Sequence, residues 1–168
     1  MHQRLLHVAG VYDSLMLDGE MLRETLPGEW RVLATSFPMW LSGRRLQPTF
    51  TYEALPGSPL ALNDVVSYRT RAGVTRRIVG VDRFDAGTGM FTWRGRGALR
   101  ALASRWRVAQ VSADRELIVL TFERSLVTPA GMDVIGRGTG ARPDARERIS
   151  TGIGADDRAE FDALSWLG

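Results

Sequence analysis

The chain of 168 residues contains neither cysteine nor lysine. Without cysteine it has no disulfide framework and no thiolate metal site. The two histidines, His2 and His7, both lie near the N-terminus, before the predicted barrel. This placement argues against a histidine-based triad or a histidine metal site, so we expect no metal and no catalytic residue of these kinds.

Long apolar runs and targeting signals are also missing. No run approaches the roughly 20 apolar residues that a membrane-spanning helix needs. The first ten residues lack the continuous apolar core of a signal peptide, which predicts a cytoplasmic protein, or a periplasmic or secreted one if a leader has been removed. The glycine-rich stretches at 87–89 and 136–138 do not open helices with phosphate-binding spacing, so we expect no nucleotide cofactor and no cofactor of another kind.

Positive charge comes from arginine alone, and it is unevenly placed. The net charge is only +3, yet residues 69–107 hold ten arginines against two acids, Asp82 and Asp85. Charged outward faces protect strands from aggregation, which is one explanation. A site that attracts an anion is the other.

Residues 26–36 are typical of a turn followed by a strand whose side chains point to alternate faces. Pro27-Gly28 is a strong turn pair. Side chains alternate along a strand, so Trp30, Val32 and Ala34 are predicted to share one face. A large ring followed by smaller side chains suggests that Trp30 closes one end of a cavity.

Short strands separated by turns then follow at intervals of about ten residues. Counting the Trp30 strand, they are predicted over residues 30–36, 49–54, 61–70, 75–84, 90–95, 105–112, 117–123 and 132–138. This pattern predicts an all-β fold, an eight-stranded antiparallel up-and-down β-barrel with room for one small ligand. We divide the single domain, 1–168, into an N-terminal extension (1–27), the barrel (28–140) and a C-terminal helical segment (141–168).

The segments around the barrel carry weaker signals. Residues 4–12 are predicted to form a short strand and 14–25 a helix interrupted by Gly19. Residues 37–48 are predicted to form a loop with apolar contents, because Pro38 and Pro48 disfavour a central strand. This loop either covers an apolar opening or is buried under the N-terminal segment.

The C-terminal segment contains one helix candidate, at residues 155–167. We predict that it packs against the outside of the barrel. Its predicted docking face consists of Ala155, Ala159, Ala163, Trp166 and Leu167.

Three stretches resemble the motifs of the lipocalins. Gly28-Glu29-Trp30 resembles the G-x-W motif on the first barrel strand. The stretch 106–111, followed by Asp114, resembles the second motif, and 132–139 resembles the third, in which an arginine closes the last strand. The resemblance implies a lipocalin barrel in which the guanidinium of Arg137 lies over the indole of Trp30 at the closed end, a structural cation–π pair.

Together these patterns favour a protein that binds or transports a small hydrophobic molecule over an enzyme. Arg69 and Arg94 are predicted at the rim, where either would pair with an acidic head group of the ligand. Entry is predicted beneath residues 37–41. The predicted lining of the cavity is Val32, Ala34, Trp40, Phe50, Tyr52, Phe91, Trp93, Trp106 and Val108.

Three alternatives stay open. An isomerase or cyclase of the lipocalin type needs an ionisable group with a perturbed pKa in the cavity, for which the sequence offers Tyr52, Tyr68, Asp64 and Asp82. Binding of nucleic acid or an anionic surface through 69–107 requires exposed aromatic rings in that segment; we expect no nucleic-acid partner. A barrel filled by its own side chains would act only through its surface. A homodimer also stays open.

Overall fold

The computed structural model describes residues 18–138 and 143–168. The strands are β1 (Gly28–Thr35), β2 (Arg45–Ala54), β3 (Ala61–Thr70), β4 (Thr75–Asp85), β5 (Met90–Gly95), β6 (Ala103–Val111), β7 (Leu117–Phe122), β8 (Gly131–Gly136) and β9 (Ser165–Trp166). The helices are α1 (Gly19–Thr25), α2 (Pro38–Leu41), α3 (Ala145–Ser150) and α4 (Ala155–Asp162). The strand predicted over residues 4–12 lies outside the described residues.

The sheet closes on itself. Strands β1 to β8 pair antiparallel in sequence order, and β1 pairs with both β2 and β8. Closure leaves none of these eight strands at an edge. The predicted eight-stranded up-and-down barrel is therefore confirmed, and the two-residue strand β9 pairs with the end of β1 outside it.

The up-and-down order sorts the connections into two groups. Those that follow β1, β3, β5 and β7 lie at one end, which we call the open end. Those that follow β2, β4 and β6 lie at the opposite, closed end together with α1, whose last residue is three positions before β1. Among the described residues no helix is long and apolar enough to cross a bilayer.

Trp30 and Arg137 meet at the closed end. Trp30 is completely buried, and its Nε1 donates a hydrogen bond to the carbonyl oxygen of Leu26 at 2.7 Å. The guanidinium carbon of Arg137 lies 4.2 Å from the centre of the Trp30 ring. The same guanidinium donates to the carbonyl oxygens of Thr25 and Pro27. Arg137 thus ties the end of α1 and the turn after it to the last barrel strand.

The apolar residues form two separate cores. One fills the barrel interior and includes Trp30, Val32 and Phe91. The other lies outside the wall, under the C-terminal helices, and includes Leu33 and Ala34. The prediction that Ala34 faces the interior is wrong: the register of β1 against β8 shifts between Val32 and Ala34, and that irregularity reverses the side on which later residues lie.

The predicted C-terminal helix is shorter than expected, and its docking face is wrong. Helix α4 ends at Asp162, and its two alanines, Ala155 and Ala159, are exposed, as is Ala163 after its end. The buried side chains are Phe161 and Leu164, because these large groups contribute more apolar area than alanine does. The chain then extends as β9, where the backbone N–H of Leu167 donates to the carbonyl oxygen of Leu33 at 2.8 Å. Helix α3 had no counterpart in the sequence prediction.

Two further boundaries differ from the prediction. Strand β2 begins at Arg45 and continues through Pro48, which the sequence placed in a loop. The β2–β3 register shifts between Leu46 and Thr49, so the proline sits at an irregularity where its missing N–H costs no ladder bond. Gly19 does not interrupt a helix but begins α1, after Asp18, whose side chain accepts a hydrogen bond from the N–H of Met21.

Candidate functional site

A cavity of about 380 Å³ occupies the half of the barrel nearest the open end. Helix α2 and the connections after β5 and β7 border its opening. Rings dominate the wall: Phe37, Trp40, Phe50, Tyr52, Tyr68, Trp93, Trp106 and Phe122. This volume falls within the range of cavities that hold small molecules.

Stacked rings form the floor of the cavity. Trp106 stacks on Tyr52 at 5.8 Å and on Phe91 at 4.3 Å between ring centres. Phe84 packs against Phe91 at 4.9 Å, towards the closed end. The barrel is therefore filled by its own side chains in one half and hollow in the other.

The position of Trp93 depends on a glycine in the neighbouring strand. Gly80 of β4 pairs with Gly95 of β5, and a Cβ at Gly80 would lie 2.1 Å from Nε1 of Trp93. The same Cβ would lie 2.6 Å from the backbone carbonyl oxygen of Arg94, so a larger residue does not fit there without a shift of the backbone as well as of the indole. The sequence pair Gly80 and Trp93 therefore shapes one side of the cavity.

The structure brings five of the nine predicted lining residues to the cavity wall: Trp40, Phe50, Tyr52, Trp93 and Trp106. Val32, Phe91 and Val108 lie in the interior core instead. Ala34 lies outside the barrel.

The predicted rim cations Arg69 and Arg94 both lie at the open end, but neither lines the cavity. Arg69 lines a separate groove of about 410 Å³ that contains Arg71 and Leu167, and Arg94 is exposed and lines neither space. The arginine that does line the cavity is Arg45, whose guanidinium carbon lies 5.0 Å from the centre of the Tyr68 ring. Pairing of Arg69 or Arg94 with an acidic head group of a ligand stays a prediction.

Buried carboxyl groups are the chemical feature of the barrel interior. Asp64, Asp82 and Asp133 are 5%, 0% and 1% exposed. Asp64 and Asp133 line the cavity directly. Burial of an ionised carboxylate is costly, so such groups favour the neutral acid unless a partner compensates the charge.

Asp64 and Asp82 form a pair across strands β3 and β4. Burial, and then the neighbouring Asp82, raise the pKa of Asp64 well above its usual value. Burial raises the pKa of Asp82 to about 7, although hydrogen bonds from Trp106 Nε1, at 2.7 Å, and from Asp64 lower it. The two carboxyls are therefore placed to share one proton, and the hydrogen bond from the Trp106 indole favours the ionised form at Asp82. Tyr52, opposite Asp64 in the ladder, stays a neutral phenol because burial and the three carboxyls raise its pKa.

Asp133 stands apart from that pair, on β8 opposite Thr35. Burial raises its pKa to about 7, and the nearby polar groups of Thr35 and Trp40 act in the opposite direction. Its Oδ1 is buried and has no hydrogen-bond partner among the described residues. The Oγ of Ser104, a residue that also lines the cavity, is likewise buried and has no hydrogen-bond partner among the described residues. Both atoms are buried behind the cavity surface, so contact with a bound molecule requires their side chains to rotate.

The sequence indicated part of this arrangement. It offered Asp64 and Asp82 as ionisable candidates but missed Asp133, which lies in the third motif-like stretch. The alternation in β8, with Met132 and Val134 in the outer core and Ile135 in the inner one, was the available signal. In the described part of the chain, no three His, Asp or Glu side chains are grouped to hold a metal ion.

The aromatic rings of the arginine-rich segment lie inside the barrel. Phe91 is completely buried, and Trp93 lines the cavity. These two rings therefore do not provide the stacking surface that binding of single-stranded nucleic acid through 69–107 would require.

Comparison with solved structures supports the fold. No family model and no curated protein matches the chain. Among solved structures, lobster apocrustacyanin A1 is 10% identical, with a TM-score of 0.59 over 83% of this chain and 76% of that one. The siderocalin Ex-FABP is 15% identical, with a TM-score of 0.58 over 85% and 93%. The amine-binding protein of Rhodnius prolixus, solved as its tryptamine complex, is 10% identical, with a TM-score of 0.61 over 90% and 82%. At these identities the likeness concerns the fold.

Proposed function

Since this chain has the lipocalin fold, we propose that the protein binds a small, mainly apolar molecule in the open half of its barrel. The observation that carries the proposal is the aromatic-walled cavity of about 380 Å³ with a border at the open end. A ligand there would contact Trp93 and Trp106 on one side and Phe50 and Tyr52 on another. Structural neighbours described as a siderocalin and an amine-binding protein support small-molecule binding in general.

Displacement of a neutral environment-sensitive probe tests this proposal. A folded sample is expected to bind the probe with 1:1 stoichiometry, and Trp93→Ala is expected to weaken binding about tenfold or more, because the indole provides a large contact surface. Leu126→Ala is the matched control, since this exposed side chain lies outside the cavity. Native mass spectrometry of freshly purified protein would show a retained ligand directly. A folded protein that binds no apolar probe contradicts the proposal.

We further propose that the ligand carries a protonated amine. An ammonium group near Asp133 would favour the ionised carboxylate and, once the carboxyl group rotates towards the cavity, would donate to Oδ1. The wall offers acids at Asp64 and Asp133 against one cation, Arg45, among the described residues. The tryptamine bound by one structural neighbour supports this choice.

A matched set of small aromatics tests the charge preference by calorimetry. Phenethylamine is expected to bind about tenfold or more tightly than 2-phenylethanol, since a hydrogen bond to a charged group contributes about 1.5–3 kcal/mol. 3-Phenylpropionate is expected to bind least. Asp133→Asn should remove the preference for the amine while 2-phenylethanol binds as before. Equal affinities for the amine and the alcohol would contradict the amine proposal and leave the apolar cavity standing.

An isomerase or cyclase remains the second candidate, because the cavity wall holds Asp64 and Asp133, both with raised pKa. In that case a molecule retained by the purified protein would be converted on incubation, as followed by chromatography. Asp64→Asn would stop the conversion without releasing the molecule. An unchanged retained molecule at all pH values would argue for a carrier.

A further inference from the structure

The exposed apolar side chains are confined to the open end. Among the described residues, the six large hydrophobic side chains that are exposed all lie in or beside the connections of that end. They are Met39, Leu41, Leu46, Val74, Leu126 and Val127. Leu126 projects fully into solvent from the connection between β7 and β8. Isolated exposed leucines need no explanation, but a set restricted to one end of a barrel indicates an interaction surface.

Arginines surround the same apolar side chains. The segments 36–46, 69–77, 94–102 and 123–130, which make the open end, contain ten arginines and a single acid, Glu123. The carboxylate of Glu123 forms a salt bridge with Arg105, with 3.1 Å between Oε2 and Nη1. The surface of the open end is therefore strongly cationic.

The closed end has the opposite character. Its segments 18–29, 53–61, 84–91, 111–117 and 136–138 contain eight acids and three arginines. The small net charge of the chain thus conceals a separation of charge along the barrel axis. Such a separation orients the protein in the field of a charged partner, with the open end directed to negative charge.

We propose that the open end docks on the surface of a lipid bilayer that contains anionic lipids. Arginines of the β3–β4 hairpin, such as Arg76 and Arg77, contact lipid phosphates, and Leu126 and Val127 enter the interfacial region. Aliphatic side chains beside cationic ones suit a bilayer, whereas nucleic acid favours exposed rings for stacking. The exposed apolar groups at this end are all aliphatic or Met.

Docking in this orientation places the cavity opening against the bilayer. Met39 and Val127 belong both to the exposed set and to the border of the cavity. An apolar molecule would then pass between lipid and cavity without crossing water. That transfer rests on the proposed function, whereas docking itself does not.

Vesicle flotation with the full chain tests the charge requirement. Binding is expected to vesicles of phosphatidylcholine mixed with phosphatidylglycerol and not to phosphatidylcholine alone, and to weaken as salt rises. Arg76→Gln with Arg77→Gln should weaken binding about tenfold or more, since each basic residue near such a surface contributes strongly. Arg83→Gln with Arg146→Gln removes two exposed arginines elsewhere and is the control, expected to change binding less than threefold.

A single label tests the orientation and depth. Because the chain has no cysteine, Leu126→Cys gives one attachment site for an environment-sensitive dye at the open end, and Ala86→Cys gives one at the closed end. On mixed vesicles the dye at position 126 should shift to shorter wavelength and be shielded from an aqueous quencher, while the dye at position 86 should not change. Leu126→Asp should weaken flotation without lowering the melting temperature, since the side chain is fully exposed.

Several results would overturn docking. They are equal binding to neutral and mixed vesicles, no binding to either, an equal loss in both arginine double variants, or equal dye shifts at the two ends. Tighter binding to a single-stranded oligonucleotide than to mixed vesicles would assign the surface to nucleic acid instead. The neutral-probe assay on the soluble protein is unaffected by these results, so failure of docking and failure of ligand binding are distinguishable.

Discussion

Replacement of Trp30 by alanine is expected to lower the free energy of unfolding by about 3–5 kcal/mol, the usual cost of removing a large buried aromatic side chain. Trp30 is completely buried, and the substitution also removes the hydrogen bond to the carbonyl oxygen of Leu26. The guanidinium of Arg137 would lose the ring that it covers. Denaturant unfolding of the wild type and the variant, followed by circular dichroism, measures the difference.

Arg137→Ala separates the effect of the ring from that of its cationic partner. A cation–π contact contributes about 0.5–2 kcal/mol, so this variant should be destabilised less than Trp30→Ala. It should still lose the contacts that tie Thr25 and Pro27 to the last strand. If Trp30→Ala costs under about 1 kcal/mol, the closed end is not the stabilising element that we describe.

The free energy of unfolding is expected to contain a component from Asp133 that decreases as pH rises from about 4 to about 7. The pKa of this carboxyl is 3.8 without the effect of burial and about 7 in the folded protein. Below the lower value the acid is neutral in both states, so this component of stability does not change with pH. Between the two values the carboxyl ionises in the unfolded chain but keeps its proton in the folded one. Ionisation therefore lowers the free energy of the unfolded state relative to the folded state as pH rises. The difference in pKa corresponds to a loss on the order of 4 kcal/mol.

Asp133→Asn is the variant that isolates this component. It should be more stable than the wild type at pH 8 and should gain nothing at pH 4, as measured by denaturant unfolding at both pH values. Asp114→Asn is the control, because the contribution of Asp114 to stability has the opposite pH dependence. Asp114 is exposed, and its pKa is lowered, first by the hydrogen bond from Ser112, so its contribution is present at neutral pH and is lost as pH falls. A pH profile that Asp133→Asn leaves unchanged would contradict the raised pKa of this buried carboxyl.

Most of the barrel was predictable because its signals are local. Turn pairs such as Pro27-Gly28 and the alternation around Phe50 and Tyr52 come from residues adjacent in the chain. These signals gave eight strands and their order, although boundaries moved by several residues, as at Arg45. The site was predictable only in part: five of the nine predicted lining residues reach the cavity wall, because strand register decides which side chains face it.

The incorrect predictions arose where distant residues compete. Ala34 changed sides because β1 shifts register against β8. In the last helix Phe161 is buried in the outer core instead of the alanines, because its ring contributes more apolar area there. Pro48 entered a strand because β2 and β3 have an irregularity at that position. None of these outcomes is encoded in the neighbouring residues alone.

The sequence by itself determined that this chain alternates in short strands, places a tryptophan at the first of them and carries its positive charge on arginine. Only the tertiary structure decided that Asp64, Asp82 and Asp133 lie inside one barrel, and that ten arginines collect at one end of it. The physical reason is that alternation and turns depend on neighbours in the chain. Burial of a carboxyl and separation of charge depend instead on strand register and on which connections share an end.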